Sequence, residues 1–127
     1  MPTPEEMTET VTAYLAAINA GDMPAVMALY SDDAAVEDPA GTEPKRGAQI
    51  LEFYTNAFSG GAKVELTGAV RLSAEAAAFP FRAEITQPDK SVLVVEVIDI
   101  FEFNDAGKVH KMTAHFGPAN ITHRPAS

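Results

Sequence analysis

The stretch VLVVEVIDIFEF (Val92–Phe103) predicts one long, buried strand with an acid on its apolar side. Alternate side chains of a strand point to opposite faces. One face combines Asp99 with valine and phenylalanine, and the other combines Glu96 and Glu102 with aliphatic residues. An unpaired ionised carboxylate is costly to bury, so Asp99 is expected to be paired with a base, bound to a metal, or neutral.

Alternation with period two extends to both sides of this strand and predicts an antiparallel sheet. The predicted strands are 63–72, 76–87, 91–104 and 109–117. Polar turn sequences, QPDK and NDAGK, separate the later strands. Pro80 cannot donate to a strand ladder, so a bulge or an edge is expected there. The last residues, THRPAS (122–127), are expected to fray.

The segment before the first predicted strand has helical spacing. Thr3 is expected to cap the first helix, with Pro4 in its first position and Glu6 completing a capping box. Gly21 is expected to end it. The residues that recur on its inner side are Met7, Val11, Tyr14, Leu15 and Ile18.

Two further helices are predicted after Gly21. Asp22 is expected to cap a second helix that runs as far as Tyr30, which is expected to pack inward. A short extended stretch, 34–41, follows, and a third amphipathic helix occupies 47–58. The inner side of the third helix carries Ile50, Phe53, Tyr54 and Phe58.

Helices followed by consecutive strands predict the α+β class. We expect a cone-shaped fold in which three N-terminal helices pack on a curved, mainly antiparallel sheet around an apolar interior. The length of 127 residues suits a single domain over 1–127, and the sequence has no repeat or linker.

The composition excludes several classes of function. A net charge of −9 argues against nucleic acid and anionic membrane surfaces as partners. The absence of cysteine excludes a thiol nucleophile, and the histidine spacing fits no metal site. The acidic start is unlike a signal peptide and no apolar run is long enough to span a membrane, so a cytoplasmic protein is expected.

Three polar residues interrupt the apolar pattern at positions that face inward: Tyr14, Asp38 and Asp99. Each has a structural interpretation, because a helical tyrosine can serve packing and an Asp before Pro can serve a turn. Arg82 is a possible ion-pair partner for Asp99. The chemical interpretation is a protonated Asp99 and Tyr14 that stabilise an oxyanion, while ionised Asp38 removes a proton beside a carbonyl.

With these residues in place, the chain resembles the delta-5-3-ketosteroid isomerase family, within the nuclear transport factor 2-like superfamily. The resemblance runs almost from end to end. The matching pieces are INAGD (18–22), DDAAVEDPAG (32–41), EFYTNAF (52–58), VELT (64–67), AAFPF (77–81), ID (98–99), FNDAGKV (103–109) and MTAHFG (112–117).

The resemblance implies an enzyme, a steroid delta-isomerase of 3-oxo-5-ene steroids that needs no cofactor or metal and is a homodimer. Asp38 matches the base that moves a proton from C4 to C6 of the steroid. Tyr14 matches the phenol that bonds the C3 oxygen, and Asp99 the protonated acid beside it. Tyr30 and Tyr54 match positions where some members extend a hydrogen-bond network from the catalytic tyrosine.

The same resemblance suggests a substrate pocket with an apolar lining, suited to a flat apolar steroid. The expected lining residues are Phe53, Phe79, Phe81, Val97, Phe101, Met112, Ala114 and Phe116. The chain departs from some members by lacking tryptophan, with Phe116 expected in that place, and His115 is expected to face the surface or an interface.

Two alternatives remain open from the sequence. Other enzymes of the cone fold, such as hydratases, cyclases and epoxide hydrolases, would be favoured if Arg82 or His110 lay in the cavity. A module that binds steroids without turnover would need no such set as Tyr14, Asp38 and Asp99.

Overall fold

The structure, a computed structural model, describes residues 2–126, which form three α-helices and an eight-stranded sheet. The helices are α1 (Pro4–Ala20), α2 (Met23–Met27) and α3 (Ala48–Ala57). The strands are β1 (Tyr30–Glu37), β2 (Lys45–Arg46), β3 (Ala62–Leu66), β4 (Arg71–Leu72), β5 (Ala76–Thr86), β6 (Val92–Phe103), β7 (Val109–His115) and β8 (Ile121–Arg124). The predicted α+β class with three helices is confirmed.

Helix α1 begins and ends at the residues that the sequence predicts. The Thr3 side chain accepts from the Glu6 amide at 3.1 Å, and the Thr3 amide donates to the Glu6 carboxylate at 2.8 Å. Gly21 ends the helix in the left-handed region at φ 69, which glycine adopts without steric penalty. The buried side of α1 includes all five residues of the predicted inner face.

The second helix is shorter than predicted, and the placement of Tyr30 in it is wrong. Helix α2 ends at Met27, and Tyr30 is the first residue of β1. The Val109 amide donates to the Leu29 carbonyl at 2.9 Å, and Tyr30 is the register partner of Val109. Pairing with β7 therefore holds this segment extended, although its local spacing suits a helix.

The sheet is mixed, open and curved, with strand order β2-β1-β7-β6-β5-β3. Strand β4 pairs with β5, and β8 pairs with β6. Strands β1 and β7 run parallel, and the other pairs are antiparallel, so the expectation of a mainly antiparallel sheet is confirmed. The long strand β6 thus lies at the centre of the fold.

Pro80 lies opposite an interruption in the neighbouring strand. The predicted strand 63–72 is divided into β3 and β4, and the Thr67 amide between them donates to the Pro80 carbonyl. On the other side, β5 pairs with β6 through Pro80 without a bulge. Of the two alternatives expected at Pro80, the bulge is wrong, and the edge agrees with the interruption between β3 and β4. The missing proline amide coincides with the gap between β3 and β4.

The expectation that residues 122–127 fray is wrong for the first of them. Residues Ile121–Arg124 form β8, which pairs antiparallel with the start of β6. Arg124 also forms an ion pair with Glu84 of β5. Ser127 lies outside the described residues. Backbone pairing with a central strand ties this short segment down, and that could not be read from its polar composition.

The helices cover one face of the sheet and enclose the core. Buried residues of α1 and α3 join the inner residues of β5, β6 and β7 in one hydrophobic cluster. Aromatic rings form its centre, with Phe101 in edge contact with Tyr14, Tyr30 and Phe79. Asp99 is the one buried acidic or basic residue between residues 2 and 126.

Candidate active site

Asp99 points to the interior because inward and outward side chains alternate along this part of β6. Val97, Asp99 and Phe101 are buried on the inner face, and Glu96 is exposed on the outer one. Only 2% of Asp99 is accessible to solvent. Burial raises the pKa of its carboxyl well above the usual range, the negative charge of Asp38 adds to this, and hydrogen bonding with Tyr14 acts in the opposite direction.

Asp38 lies in the same cavity but in a less enclosed position. Asp38 follows the last residue of β1. Two residues further on, the Ala40 amide donates a hydrogen bond to the Ala114 carbonyl at 2.7 Å, which ties this segment to β7. Burial raises the pKa of Asp38 to about 6, and the positive charge of Lys45 opposes that rise. Asp38 is therefore mostly ionised at neutral pH.

Tyr14 places its phenol beside Asp99. It projects from the middle of α1, and its ring packs edge-on against Phe101 at 5.0 Å and Phe79 at 6.0 Å between centroids. Burial raises the pKa of the Tyr14 phenol well above its usual range, and the nearby Asp99 carboxyl, when it ionises, adds to this. The hydroxyl thus keeps its proton and can donate it in a hydrogen bond.

A chain of three tyrosines leads to this hydroxyl. The Tyr54 hydroxyl lies 2.9 Å from that of Tyr14 and 2.6 Å from that of Tyr30. Two hydrogen bonds use two of the three hydroxyl protons, so one proton remains for another acceptor. If Tyr30 donates to Tyr54 and Tyr54 to Tyr14, the remaining proton belongs to Tyr14, which is the member of the chain beside both carboxyl groups.

The three groups open into one apolar cavity of about 280 Å³. Known pockets for small molecules begin at about 300 Å³ and combine apolar walls with a few polar groups. The wall is formed by Tyr14, Ile18, Asp38, Pro39, Phe53, Tyr54, Ala57, Phe58, Phe81, Ala83, Ile85, Leu93, Val95, Val97, Asp99, Ala114, Phe116 and Ile121. Polar hydroxyl and carboxyl groups are confined to Tyr14, Asp38, Tyr54 and Asp99 among these wall residues.

The structure brings together five of the eight predicted lining residues. Those in the wall are Phe53, Phe81, Val97, Ala114 and Phe116. Phe79, Phe101 and Met112 do not line the cavity, which corrects the prediction for them; all three are fully buried in the core. They share the correct strand face, but their side chains are completely enclosed by the hydrophobic core. Two of them, Phe79 and Phe101, pack against the Tyr14 ring.

Sequence reasoning missed half of the residues that line the cavity. These are Ile18, Pro39, Ala57, Phe58, Ala83, Ile85, Leu93, Val95 and Ile121. Most of these have the correct parity or helical spacing, and Val95 lies on the recognised inner face of β6. Ile121 had no signal, because it reaches the cavity through the pairing of β8 with β6.

The groups that would favour other chemistries lie outside the wall. Arg82 is on the opposite face of β5, within 3.7 Å of Glu84 and 3.8 Å of Glu96, so it is not the partner of Asp99. His110 and His115 are exposed on β7. The prediction that His115 faces away from the interior is confirmed.

Fold and cavity together define a class of protein, a small α+β cone with acidic and phenolic groups at one end of an apolar pocket. Residues 11–112 match the model of the SnoaL-like domain. The chain therefore belongs to the SnoaL-like domain family, and the predicted membership of the nuclear transport factor 2-like superfamily is confirmed.

Two similar proteins extend this comparison. A steroid delta-isomerase from Nocardioides simplex is 36% identical over 121 residues, which cover 95% of this chain and 98% of the relative. The solved structure of SalBIII, an epoxide hydrolase/cyclase-like enzyme in pyran ring formation of the polyether salinomycin, matches with a TM-score of 0.88. It is 24% identical, and the match covers 95% of this chain and 98% of that one, which shows a shared fold. Between residues 2 and 126, none of the helices is long and apolar enough to cross a membrane.

Proposed function

We propose that the protein is a steroid delta-isomerase that converts 3-oxo-5-ene steroids to the conjugated 4-ene isomers. One observation carries this proposal: Tyr14, Asp38 and Asp99 meet in one apolar cavity, and the two carboxyl groups differ in burial. A base and two donors at one end of an apolar site suit proton transfer beside a carbonyl.

In the first step, ionised Asp38 removes a proton from C4 of the steroid. The electrons of that C–H bond move toward the C3 carbonyl, so negative charge develops on its oxygen and a dienolate forms. The Tyr14 hydroxyl and the protonated Asp99 carboxyl donate to this oxygen. Because the cavity wall is mostly apolar, these hydrogen bonds are stronger than they would be in solvent.

In the second step, protonated Asp38 returns the proton to C6. The dienolate electrons form the new C6–H bond, the double bond moves to the 4-ene position, and the C3 carbonyl is restored. Asp38 ends in its starting state, so the reaction is balanced without an external acid, base or cofactor. A pKa of about 6 suits this cycle, because Asp38 must both accept and release the proton near neutral pH.

The Nocardioides simplex relative supports this substrate class, since it is named a steroid delta-isomerase and spans nearly the whole chain. The placement of Arg82 and His110 outside the cavity wall gives no support to epoxide hydrolase or hydratase chemistry by those residues. A site for apolar binding alone would not need four ionisable side chains in its wall.

The test is absorbance in the ultraviolet during incubation with 5-androstene-3,17-dione, since the conjugated 4-ene-3-ketone absorbs strongly and the 5-ene does not. Wild-type protein and Asp32→Asn, which alters an exposed acid on β1, should both convert the steroid rapidly, whereas Asp38→Asn should not. No conversion by folded wild-type protein would refute the proposal, and binding without conversion would indicate a steroid-binding module.

The proposed enzyme acts as a homodimer through the outer side of its sheet. Ile98 is 46% exposed on the outer face of β6, beside His115 of β7, and a dimer formed through this face would remove that apolar side chain from water. Sedimentation of wild-type protein should give a dimer, and Ile98→Glu should shift it toward the monomer. A wild-type monomer at micromolar concentration would contradict the dimer.

A further inference from the structure

Lys45 is a cation that contacts the backbone of the candidate base, Asp38, from outside the cavity. It lies on β2, where it is the register partner of Val36, two residues before Asp38. Its ammonium nitrogen is 3.5 Å from the Asp38 carbonyl oxygen, a long hydrogen bond, and 4.6 Å from the centroid of the Phe53 ring. Both contacts fix the position of the charge, since a cation over an aromatic face is attracted by the ring.

Lys45 does not enter the cavity. It lines a groove on the outer side of α3, together with Gln49, Glu52, Phe53, Asn56 and Ala57. Phe53 and Ala57 also line the cavity, so these two residues separate the Lys45 ammonium group from the space that a substrate would fill. A role for Lys45 must therefore act through Asp38 or Phe53 and not by touching the substrate.

The titratable groups on the cavity side of Asp38 come from three elements. Asp99 of β6 shares the cavity, and an ionised Asp38 disfavours ionisation of Asp99. Tyr14 of α1 and Tyr54 of α3 line the same wall, and burial keeps both phenols protonated by raising their pKa values. Among residues 2–126, the cavity wall therefore supplies no positive charge to stabilise an ionised Asp38.

The charged groups on the other side of Asp38 include two lysines. Lys111 of β7 is paired with the Glu37 carboxylate at 3.8 Å, so a neighbouring acid already opposes its charge. Lys45 of β2 is the cation whose charge acts on Asp38. Its field opposes the effect of burial on the Asp38 carboxyl.

We propose that Lys45 is a positioning residue for the general base: its ammonium group holds the Asp38 backbone and favours the ionised carboxylate that abstracts the proton. This inference rests on the proposed isomerase function and adds a residue that acts from outside the cavity. Without Lys45, the apolar surroundings would keep Asp38 protonated over a wider pH range.

The test compares Lys45→Met, Lys45→Arg and the control Lys63→Met. Methionine keeps an apolar stem against Phe53 but removes the charge, and arginine restores a charge. Lys63→Met removes one charge from an exposed position on β3. For each variant, kcat/KM is measured against pH, and the carboxyl carbon of Asp38 is titrated by nuclear magnetic resonance without substrate.

In Lys45→Met, the acid limb of kcat/KM and the Asp38 titration should both move to higher pH. On the acid side of the limb kcat/KM should fall about fivefold, which is the scale of one nearby charge screened by water, and it should fall less at higher pH. Lys45→Arg should restore most of the loss, and Lys63→Met should match wild type.

Two results would overturn the inference: an unmoved acid limb in Lys45→Met, or an equal loss at every pH that Lys45→Arg fails to rescue. The second would mean a structural role for Lys45. Failure of the proposed function is a separate result, because wild-type protein would then convert no steroid, and the carbon titration alone would decide whether Lys45 acts on Asp38.

Discussion

The two acids of the cavity have the same side chain but occupy different regions of the fold. Asp99 lies in the middle of the central strand, 2% exposed, with strands on both sides. Asp38 lies just beyond the end of β1, where it is half-buried. Burial raises the pKa of Asp38 to about 6 and that of Asp99 well above its ordinary range.

This difference shows how one fold can keep an acid and a base in the same cavity. A carboxyl group at the centre of a covered strand is shielded from water, so it stays neutral and can donate. A strand end lies near solvent and near Lys45, so a carboxyl group there can ionise. Pairs of titratable groups whose environments separate their pKa values mark acid and base assignments.

The largest expected effect comes from removing the base. Asp38→Asn keeps the shape of the side chain but cannot accept the proton, so kcat for 5-androstene-3,17-dione should fall by about 10²–10⁴-fold. Stopped-flow absorbance gives the rate, and circular dichroism checks the fold. Retention of most activity would mean that Asp38 is not the base and that Asp38 and Asp99 do not have the separate roles of base and donor.

A smaller loss of activity is expected when one of the two hydrogen-bond donors to the substrate oxygen is removed. Tyr14→Phe removes one donor to the developing oxyanion and leaves the ring contacts with Phe79 and Phe101, so kcat should fall by roughly 10²–10³-fold. Tyr30→Phe, at the far end of the tyrosine chain, is the matched control and should have a weaker effect. Equal losses in the two variants would argue against a special position for Tyr14.

The pH profile should report the less buried acid. Because Asp38 must be ionised and its pKa is about 6, kcat/KM should fall about tenfold between about pH 7 and about pH 5. The decline should be absent in Asp38→Asn. A profile that stays flat down to about pH 4 would mean that the environment of Asp38 does not raise its pKa.

The smallest expected effect is on stability and reports the more buried acid. The folded pKa of Asp99 is raised, so folded protein holds this proton more tightly than unfolded protein does. Its contribution to stability is therefore most favourable below the ordinary Asp pKa of 3.8 and declines as pH rises above it. Urea unfolding of Asp99→Asn should show a weaker decline than wild type from about pH 4 to about pH 7. Parallel curves would contradict a protonated Asp99.

Much of the fold followed from local patterns. The capping box of α1, the alternation along β6 and the polar turns between β5, β6 and β7 are all short-range signals, and each predicted its element correctly. Tyr30 shows where local patterns fail to predict structure. Its spacing suits a helix, but it pairs in parallel with β7, a strand that lies far along the chain. The terminal strand β8 was missed for the same reason.

The candidate site was likewise predicted only in part from the sequence. The three candidate catalytic residues were found because each interrupts an apolar pattern, and the structure brings all three into one cavity. The wall was predicted less well, since strand parity gives the face of a side chain but not its depth. Val97 and Phe101 share a face of β6, yet Val97 lines the cavity and Phe101 is fully buried in the core.

By itself, the sequence determined the elements and the faces that depend on nearest neighbours along the chain. These include the caps of α1, the inner face of β6 and the burial of Asp99, because the period of a helix or strand is a local property. The tertiary structure alone decided which faces meet. It placed β1 parallel to β7, drew Ile121 into the cavity wall and set Lys45 behind Asp38, because these contacts join segments whose pairing no local pattern encodes.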